Sequence, residues 1–293
     1  MNLSILKKSG PGVIAAFALG LLAACGTTYD LPEASEGHAS AAQAMFAEEQ
    51  NPATAKSGRK LSGTLSTRQF RRVVSRVEPV AERFCRQETA EQENFNCDIL
   101  IRIDRSFPGK NAYQTYDDAG RPVVAFTPAM IQDARNPDEL AFVLGHEMGH
   151  HIGQHQHKQQ QQAMAGALIM GAMTAYGQAQ ANAANPYRYR GGEQRALQNS
   201  MDAGAGIGKM AYSQTYELES DVIGTAITRA AGYDPVKGAR FFARPEEKRL
   251  GNGALSFWGT HPPDEKRLAT VLATMESIEA TGGLARKKTS DGQ

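Results

Sequence analysis

Five of the seven histidines of this 293-residue sequence lie between residues 146 and 157. His146 and His150 are four residues apart, so on a helix both imidazoles project from one face and can bind the same metal ion. Glu147 follows the first of them and can act as general base on a water molecule, which completes an HExxH arrangement. Zinc suits this arrangement because three protein ligands leave a fourth position open. We therefore predict one Zn2+ per chain.

The third protein ligand has two candidates. A metzincin pattern, HExxHxxGxxH, would place it at Gln156, which cannot replace a histidine there, and His155 and His157 are each one residue out of register. We expect both of these histidines to be solvated. The other candidate is Glu217, which lies in a helix predicted over 212–231.

The predicted helix over 212–231 carries three acidic side chains close together. Glu217 and Asp221 are four residues apart and share a face. If Glu217 binds zinc, Asp221 can orient a ligand histidine through a hydrogen bond. Glu219 points to roughly the opposite side, and we expect it to be an exposed charge.

The HExxH residues need a helix to position them. Asn136 is suited to cap this helix, and Pro137 suits its first turn. The apolar residues that follow share one face, while Gly145 and Gly149 would allow another element to approach closely. These features predict a buried helix through His150.

The rest of the chain predicts an α+β fold that is mostly helical. Apolar residues three or four apart predict a helix over 67–88, and β-rich segments predict strands over 97–103, 111–113 and 121–126. Between the two motif helices, the Ala/Gly/Met-rich stretch 163–177 is expected to be a packing surface, with contact to a membrane as the alternative. Residues 182–208 are rich in Gly, Asn, Gln and Arg and predict a mobile loop near the cleft.

Three ordered motifs, in residues 136–150, 217–221 and 260–267, resemble those of a known protease family. They are similar to the gluzincin metalloproteases that include HtpX, the type I CAAX prenyl protease and the periplasmic BepA and LoiP. The resemblance covers most of the chain, from about residue 70 to 275. The sequence has no apolar run of 18 residues and no room for a TPR array after residue 278. The small periplasmic lipoprotein members are therefore the expected subtype.

The resemblance implies roles for particular residues. It implies three zinc ligands and a catalytic base, namely His146, His150, Glu217 and, as the base, Glu147. It also implies that His261 approaches the zinc, where it either blocks the metal or assists the oxyanion. Arg267 matches an arginine that the family keeps near the site. The strand over 121–126 would be the sheet edge along which an extended peptide lies.

The N-terminal segment resembles a bacterial export signal. Lys7 and Lys8 precede an apolar run, and the segment 22–26, Leu-Ala-Ala-Cys-Gly, resembles a lipobox. This predicts removal of residues 1–24 and lipidation of Cys25; the alternative is an ordinary signal with a chance cysteine. Gly26 gives no indication of inner-membrane retention, so we expect an anchor at the periplasmic face of the outer membrane.

The remaining boundaries follow from composition and from the cysteine count. We predict a flexible tether over 25–66, a zinc metallopeptidase domain over 67–280 and a polar tail over 281–293. With Cys25 acylated, Cys85 and Cys97 remain as a pair, and an oxidising compartment favours a disulfide between them. A metal role for this pair is less favoured, since no CxxC spacing is present.

The sequence thus predicts a zinc endopeptidase that cleaves misfolded or damaged envelope proteins. The net charge is only +1, with 32 Lys and Arg against 31 Asp and Glu, which excludes the basic surface that nucleic-acid binding requires. The expected partners are unfolded or misassembled proteins and the outer membrane. Two alternatives remain: a lipoprotein chaperone or assembly factor with a mostly latent zinc site, and a zinc amidase that acts on cell-wall peptides.

Overall fold

The computed structural model describes residues 27–51, 63–211, 213–245, 249–251, 253 and 255–287. Two compact units are distinguished among them, a larger one with residues 28–153 and 216–287 and a smaller one with residues 154–215. The predicted signal segment and Cys25 lie outside the described residues.

Helices dominate the secondary structure, as the sequence predicts. In chain order the elements are α1 (Glu36–Gln50), α2 (Gly63–Glu88), β1 (Leu100–Ile103), β2 (Ala112–Tyr116), β3 (Pro122–Phe126), α3 (Pro128–Asp133), α4 (Pro137–Ile152), α5 (His155–Ala184), α6 (Glu193–Met210), α7 (Ser213–Ala230), α8 (Pro235–Ala239), a 3-10 turn (Arg240–Ala243), α9 (Phe257–Thr260) and α10 (Glu265–Thr281). The mostly helical α+β fold with a small sheet is confirmed.

The three strands form one sheet in the order β1-β3-β2. β1 runs parallel to β3, and β2 pairs antiparallel with it, with Ala112 opposite Phe126. All five residues of β3 are buried, because this strand has a neighbour on each side and an uninterrupted apolar sequence. The expectation that the strand over 121–126 forms a sheet edge is therefore wrong, and β2 is an edge strand instead.

Helix α2 packs against α4 and α3 through one apolar face. Phe70, Val73 and Val77 are buried at the spacing of a helical stripe. The structure joins Cys85, near the end of this helix, to Cys97 by a disulfide with a Cα–Cα distance of 5.8 Å. The bond fixes the segment that leads into β1, and on the chain-entropy estimate it stabilises the fold by about 3 kcal/mol.

Helices α4 and α7 approach each other closely where both carry glycine. A Cβ at Gly145 would lie 3.0 Å from the carbonyl oxygen of Gly224, and a Cβ at Gly224 would lie 2.9 Å from the backbone nitrogen of His146. Larger side chains here would force the helices apart. The glycines therefore bring the HExxH residues of α4 next to the acidic residues of α7.

The segment near the N-terminus is part of the fold of the larger unit. The carboxylate of Glu219 accepts hydrogen bonds from the backbone N–H groups of Thr28 and Tyr29. Tyr29 is buried, and its hydroxyl donates to Glu88. The expectation that Glu219 is an exposed charge is therefore wrong, since residues distant in sequence cover the face of α7 on which it lies.

Parts of the predicted tether and tail are also ordered. Helix α1 begins after Ser35, whose side chain caps it, and it packs against α10. Glu49 at its end pairs with Arg135 and Arg240 at 2.7 and 2.8 Å. The N–H of Asp30 donates to the carbonyl oxygen of Ala285. These contacts place structure inside both segments that the sequence predicts as flexible or polar connections.

The smaller unit is a helical hairpin formed by α5 and α6. A Cβ at Gly166 of α5 would lie only 2.1 Å from the carbonyl oxygen of Gly204 of α6, so the two backbones are in direct contact. The small residues of the stretch 163–177 thus pack against another helix, and this contact does not decide whether the exposed side chains of the stretch meet a membrane. The prediction of a mobile loop over 182–208 is wrong, since α6 occupies most of it. Among the described residues, no helix is both long enough and apolar enough to cross a membrane.

Candidate metal centre

Helix α4 holds three of the predicted site residues inside the larger unit. Asn136 caps it by accepting the N–H of Glu139 at 3.0 Å, with Pro137 in the first turn. His146 and Glu147 are almost fully buried, and His150, one turn further, is partly accessible. The helix therefore carries both imidazoles from the protein interior to a surface opening.

Four side chains converge at the end of this helix. Ligand atoms of His146, His150, Glu217 and His261 all lie within 4.8 Å of one another. The Nε2 atoms of His146 and His150 are 3.1 Å apart, and oxygens of Glu217 lie 3.5 and 3.4 Å from them. Three segments distant in sequence, α4, α7 and the residue after α9, thus meet at one point.

The spacing of these donors fits a zinc ion. Ligand atoms about 2.0–2.1 Å from a tetrahedral zinc lie about 3.3 Å from one another. The separations of 3.1, 3.4 and 3.5 Å among His146, His150 and Glu217 match this value. Two imidazoles and one carboxylate also form the donor set that catalytic zinc prefers. The residues present therefore fit the metal.

Asp221 and Arg267 hold the ring of His146 in place. Oδ1 of Asp221 lies 2.9 Å from Nδ1 of His146. Arg267 in turn donates two hydrogen bonds of 2.7 Å to the carboxylate of Asp221. Because the carboxylate can only accept, it keeps a proton on Nδ1 and leaves Nε2 free to bind a metal.

The electrostatics of the cluster follow from burial and from these contacts. Burial alone would lower the pKa of His146, but hydrogen bonds to Asp221 and Glu217 raise it to about 9. Burial lowers the pKa of His150. Burial tends to raise the pKa of Glu217, yet the imidazoles of His261 and His150 hold it well below the usual range. The site therefore keeps a carboxylate ligand ionised and one imidazole neutral at pH 7.

Glu147 and His261 face each other across the cluster. Oε1 of Glu147 is buried and accepts no hydrogen bond from the described residues, and its distance to Nε2 of His261 is 3.4 Å. A buried carboxylate oxygen that accepts no hydrogen bond lowers the free energy of unfolding. A water or a substrate group at this position would satisfy it. Nδ1 of His261 lies 3.3 Å from Nε2 of His146, at the same spacing as the ligand pairs.

No sequence motif indicates the aromatic residues that support the cluster. Phe242 packs against the ring of His146 at 4.9 Å, and the guanidinium of Arg267 lies 3.7 Å from its centroid. Phe257 packs against His261 at 4.6 Å. Phe242 is distant in sequence from His146, so only the fold brings it to the site, whereas Phe257 is four residues before His261.

The remaining histidines of the 146–157 stretch do not join the cluster. His151 is buried on the other side of α4, where it contacts the hydroxyl of Tyr116 and the carbonyl oxygen of Asn96 at 3.2 and 2.8 Å. His157 is exposed, as expected, but His155 is 1% exposed, so its interpretation as a solvated residue is wrong. Among the described residues, the group that could bind a metal does not include His151, His155 or His157.

One comparison with known proteins identifies a family. A family profile described as Peptidase family M48 matches residues 67–275. No curated protein matches the chain significantly. The matched segment contains the four converging residues together with Glu147, Asp221 and Arg267.

Proposed function

The chain belongs to peptidase family M48 and is a zinc metallopeptidase, and we propose that it is an endopeptidase that degrades misfolded or damaged proteins of the bacterial cell envelope. The observation that carries this proposal is the convergence of His146, His150 and Glu217 at the spacing of zinc ligands. Next to them lies Glu147, whose buried Oε1 accepts no hydrogen bond from the described residues. In this proposal His146, His150 and Glu217 hold the metal, and Glu147 transfers a proton from the attacking water to the leaving amine.

Peptide hydrolysis at this site would use the protein groups as follows. A bound zinc would act as a Lewis acid, polarising the scissile carbonyl and lowering the pKa of water. Glu147 would accept a proton from the attacking water at Oε1 and pass it to the leaving amine. The side chains of His261 and Arg267, which lie beside Glu147 and Glu217, are positioned to stabilise negative charge on the substrate oxygen.

An extended substrate would bind along β2. This strand is an edge of the sheet, and the contact between Tyr116 at its end and His151 of α4 joins it to the active-site helix. A peptide that adds to an edge strand is held by backbone hydrogen bonds, which do not depend on its side chains. Such binding supports an endopeptidase with misfolded proteins of many sequences as substrates.

The envelope location rests on the N-terminal sequence and the cysteines. The lipobox-like segment 22–26 supports lipidation at Cys25 and attachment to the periplasmic face of the outer membrane. The disulfide between Cys85 and Cys97 is consistent with export, since such bonds persist in oxidising compartments.

The test of this proposal is casein cleavage combined with a zinc measurement. Glu147→Gln should keep the zinc content of the wild type and lower the cleavage rate by about 10²–10⁴-fold, the usual contribution of a general base. Glu91→Gln, at an exposed position outside the site, is the matched control and should cleave normally. Full cleavage by a zinc-loaded Glu147→Gln protein would overturn the proposal. Activity on cell-wall peptides but not on casein would identify the amidase alternative.

His261 supports a second candidate, in which the zinc site is mostly latent. Its Nδ1 lies at ligand spacing from His146 and 2.8 Å from Oε2 of Glu217, so it could fill the fourth position and exclude water. If His261 is such a latch, His261→Ala should raise basal casein cleavage several-fold at unchanged zinc content. A loss of cleavage at full zinc content would instead show that His261 assists the oxyanion.

A further inference from the structure

Large apolar side chains are unevenly distributed over the surface of the protein. Of the eleven large hydrophobic residues that are exposed among the described residues, eight lie in the helical hairpin of α5 and α6. Met164 and Leu168 of α5 are 67% and 65% exposed, and Ile207 and Met210 of α6 are 61% and 75% exposed. A concentration of this kind marks an interaction surface, because isolated exposed apolar residues are normally scattered.

The closest contacts inside the hairpin are made by glycines, and Met170, Leu197 and Met201 pack beside them. Gly166 lies against Gly204, and a Cβ at Gly208 would lie 2.1 Å from the carbonyl oxygen of Gln162. A helix pair designed for water turns its large apolar residues toward its partner. This hairpin turns most of them outward and makes its closest contacts through glycine, as helices do when they associate in a lipid environment.

The turn between the two helices carries aromatic and basic residues. Tyr187 and Tyr189 are 97% and 87% exposed, and they alternate with Arg188 and Arg190. Tyrosine favours the headgroup level of a bilayer because its ring is apolar and its hydroxyl is polar. Arginine adds attraction to anionic headgroups.

The charge of the hairpin complements an anionic surface. Residues 154–215 contain five Lys and Arg and two Asp and Glu, which gives a net charge of +3 with histidine neutral. The entire sequence has a net charge of only +1, so the remaining residues together carry −2. Positive charge is therefore concentrated on the same segment that exposes apolar side chains.

From these observations we propose that the α5–α6 hairpin binds the surface of a membrane that contains anionic phospholipids. The hairpin lies in the interface and does not cross the bilayer, since neither helix is apolar enough to span it. No residue of this surface belongs to the group that could bind a metal, and lipid binding by the surface does not depend on zinc chemistry. It would provide a contact with the membrane in addition to the lipid proposed at Cys25.

Vesicle co-sedimentation tests the proposal. The protein is produced without residues 1–24 and with Cys25→Ser, so that neither the signal nor an acyl chain contributes. It should bind vesicles of phosphatidylcholine with about 30% phosphatidylglycerol and bind pure phosphatidylcholine much more weakly, with binding reduced by salt. The double variant Arg188→Gln/Arg190→Gln should bind anionic vesicles about 30-fold more weakly, at roughly 1 kcal/mol for each basic residue.

A second variant and two matched controls complete the experiment. Leu168→Gln/Ile207→Gln should also weaken binding, because it removes exposed apolar side chains without changing the glycine interface. Leu65→Gln/Leu255→Gln removes exposed leucines outside the hairpin, and Arg68→Gln/Arg71→Gln removes exposed arginines there. Both controls should bind as the parent protein does. Circular dichroism would verify that each variant keeps its helices.

Several outcomes would overturn the proposal. The proposal fails if the protein binds both kinds of vesicle equally or binds neither kind. It also fails if the hairpin variants bind anionic vesicles as well as their controls do. If the hairpin variants convert a dimer into a monomer and no vesicle binding is found, the surface joins two copies of this chain. If they lose affinity for an unfolded protein such as reduced casein but not for vesicles, the surface binds substrate.

Discussion

Two pairs of helices in this protein pack through glycine, and they differ in where their other side chains point. In the pair α4–α7, a Cβ at Gly149 would lie 3.0 Å from the Cα of Ser220, and Phe142 and Ile223 are buried around the contact. In the pair α5–α6, Gly166 and Gly204 touch, but Leu168 and its apolar neighbours are exposed.

The difference shows what a glycine contact does and does not determine. In both pairs it sets how closely the backbones approach. In α4–α7 the surrounding apolar residues form a core, and the close approach brings polar ligands to within bonding distance of one metal. In α5–α6 most of the large apolar residues remain outside, where they are available to a partner. The role of a glycine-rich helix pair is therefore decided by the residues around the contact.

The largest expected effect concerns the ligands that the α4–α7 contact brings together. Glu217→Ala removes one of three protein ligands and should lower zinc affinity by more than about 100-fold, since even partners that only orient a ligand contribute 10–100-fold. Casein cleavage should be lost in parallel. Inductively coupled plasma mass spectrometry and competition with a chelator measure the zinc.

The matched control for Glu217→Ala is the double variant His155→Ala/His157→Ala, which should retain zinc. Neither histidine belongs to the metal-binding group. If this control loses zinc while Glu217→Ala keeps it, the ligand assignment fails and a metzincin-like site becomes the better interpretation.

A smaller effect is expected from filling one glycine contact. A Cβ at Gly224 would lie 2.9 Å from the backbone nitrogen of His146, so Gly224→Ala should lower the free energy of unfolding by about 1–3 kcal/mol. It should also weaken zinc binding, because His146 would shift relative to Glu217. Urea denaturation and chelator competition measure the two changes.

Gly206→Ala is the control for this steric argument. Gly206 lies in α6, and its Cβ would meet no atom within 4 Å. Alanine there should be neutral or stabilise the protein by up to about 1 kcal/mol, the difference in helix propensity. Similar destabilisation by both substitutions would show that lost backbone flexibility, and not the α4–α7 contact, causes the effect.

The same comparison explains which features the sequence could predict. His146, His150 and Glu217 follow from local spacing on two helices, and a regular apolar stripe identifies α2. Residues 182–208, which include α6, are predicted as a loop because glycines at the helix contact weaken the apolar stripe that indicates an amphipathic helix. Glu219 is buried by contacts with Thr28 and Tyr29, about 190 residues away in sequence. Helical periodicity carries no information about such contacts.

The central position of β3 in the sheet could have been predicted from its sequence. Its residues 122–126 form an uninterrupted apolar run, which is typical of a strand buried on both faces. The resemblance to a protease family favoured an edge instead. Phe242, which packs against His146, belongs to no local motif, and only the folded structure identifies it as part of the site.

The last expected effect is a dependence of zinc affinity on pH, and it should arise in α4–α7 and not in the hairpin. The pKa of His146 is about 9 in the folded protein without metal, above the ordinary value near 6.5. Protonation of His146 therefore stabilises the metal-free fold, fully below pH 6.5, and this contribution is lost as the pH rises through about 9.

Zinc requires the neutral imidazole, so binding should displace about one proton from His146 at pH 7. Zinc affinity should then rise about tenfold for each pH unit between 6.5 and 9 and level off above that range. Calorimetry in buffers of different ionisation enthalpy counts the released proton, and chelator competition follows the affinity. Asp221→Asn removes the charge that raises the pKa of His146, so it should reduce both the proton release and the slope. If the pH dependence of zinc affinity is unchanged in Asp221→Asn, a group other than His146 supplies the released proton. The buried His146–Asp221 pair would then not be the cause of the pH dependence of the α4–α7 site.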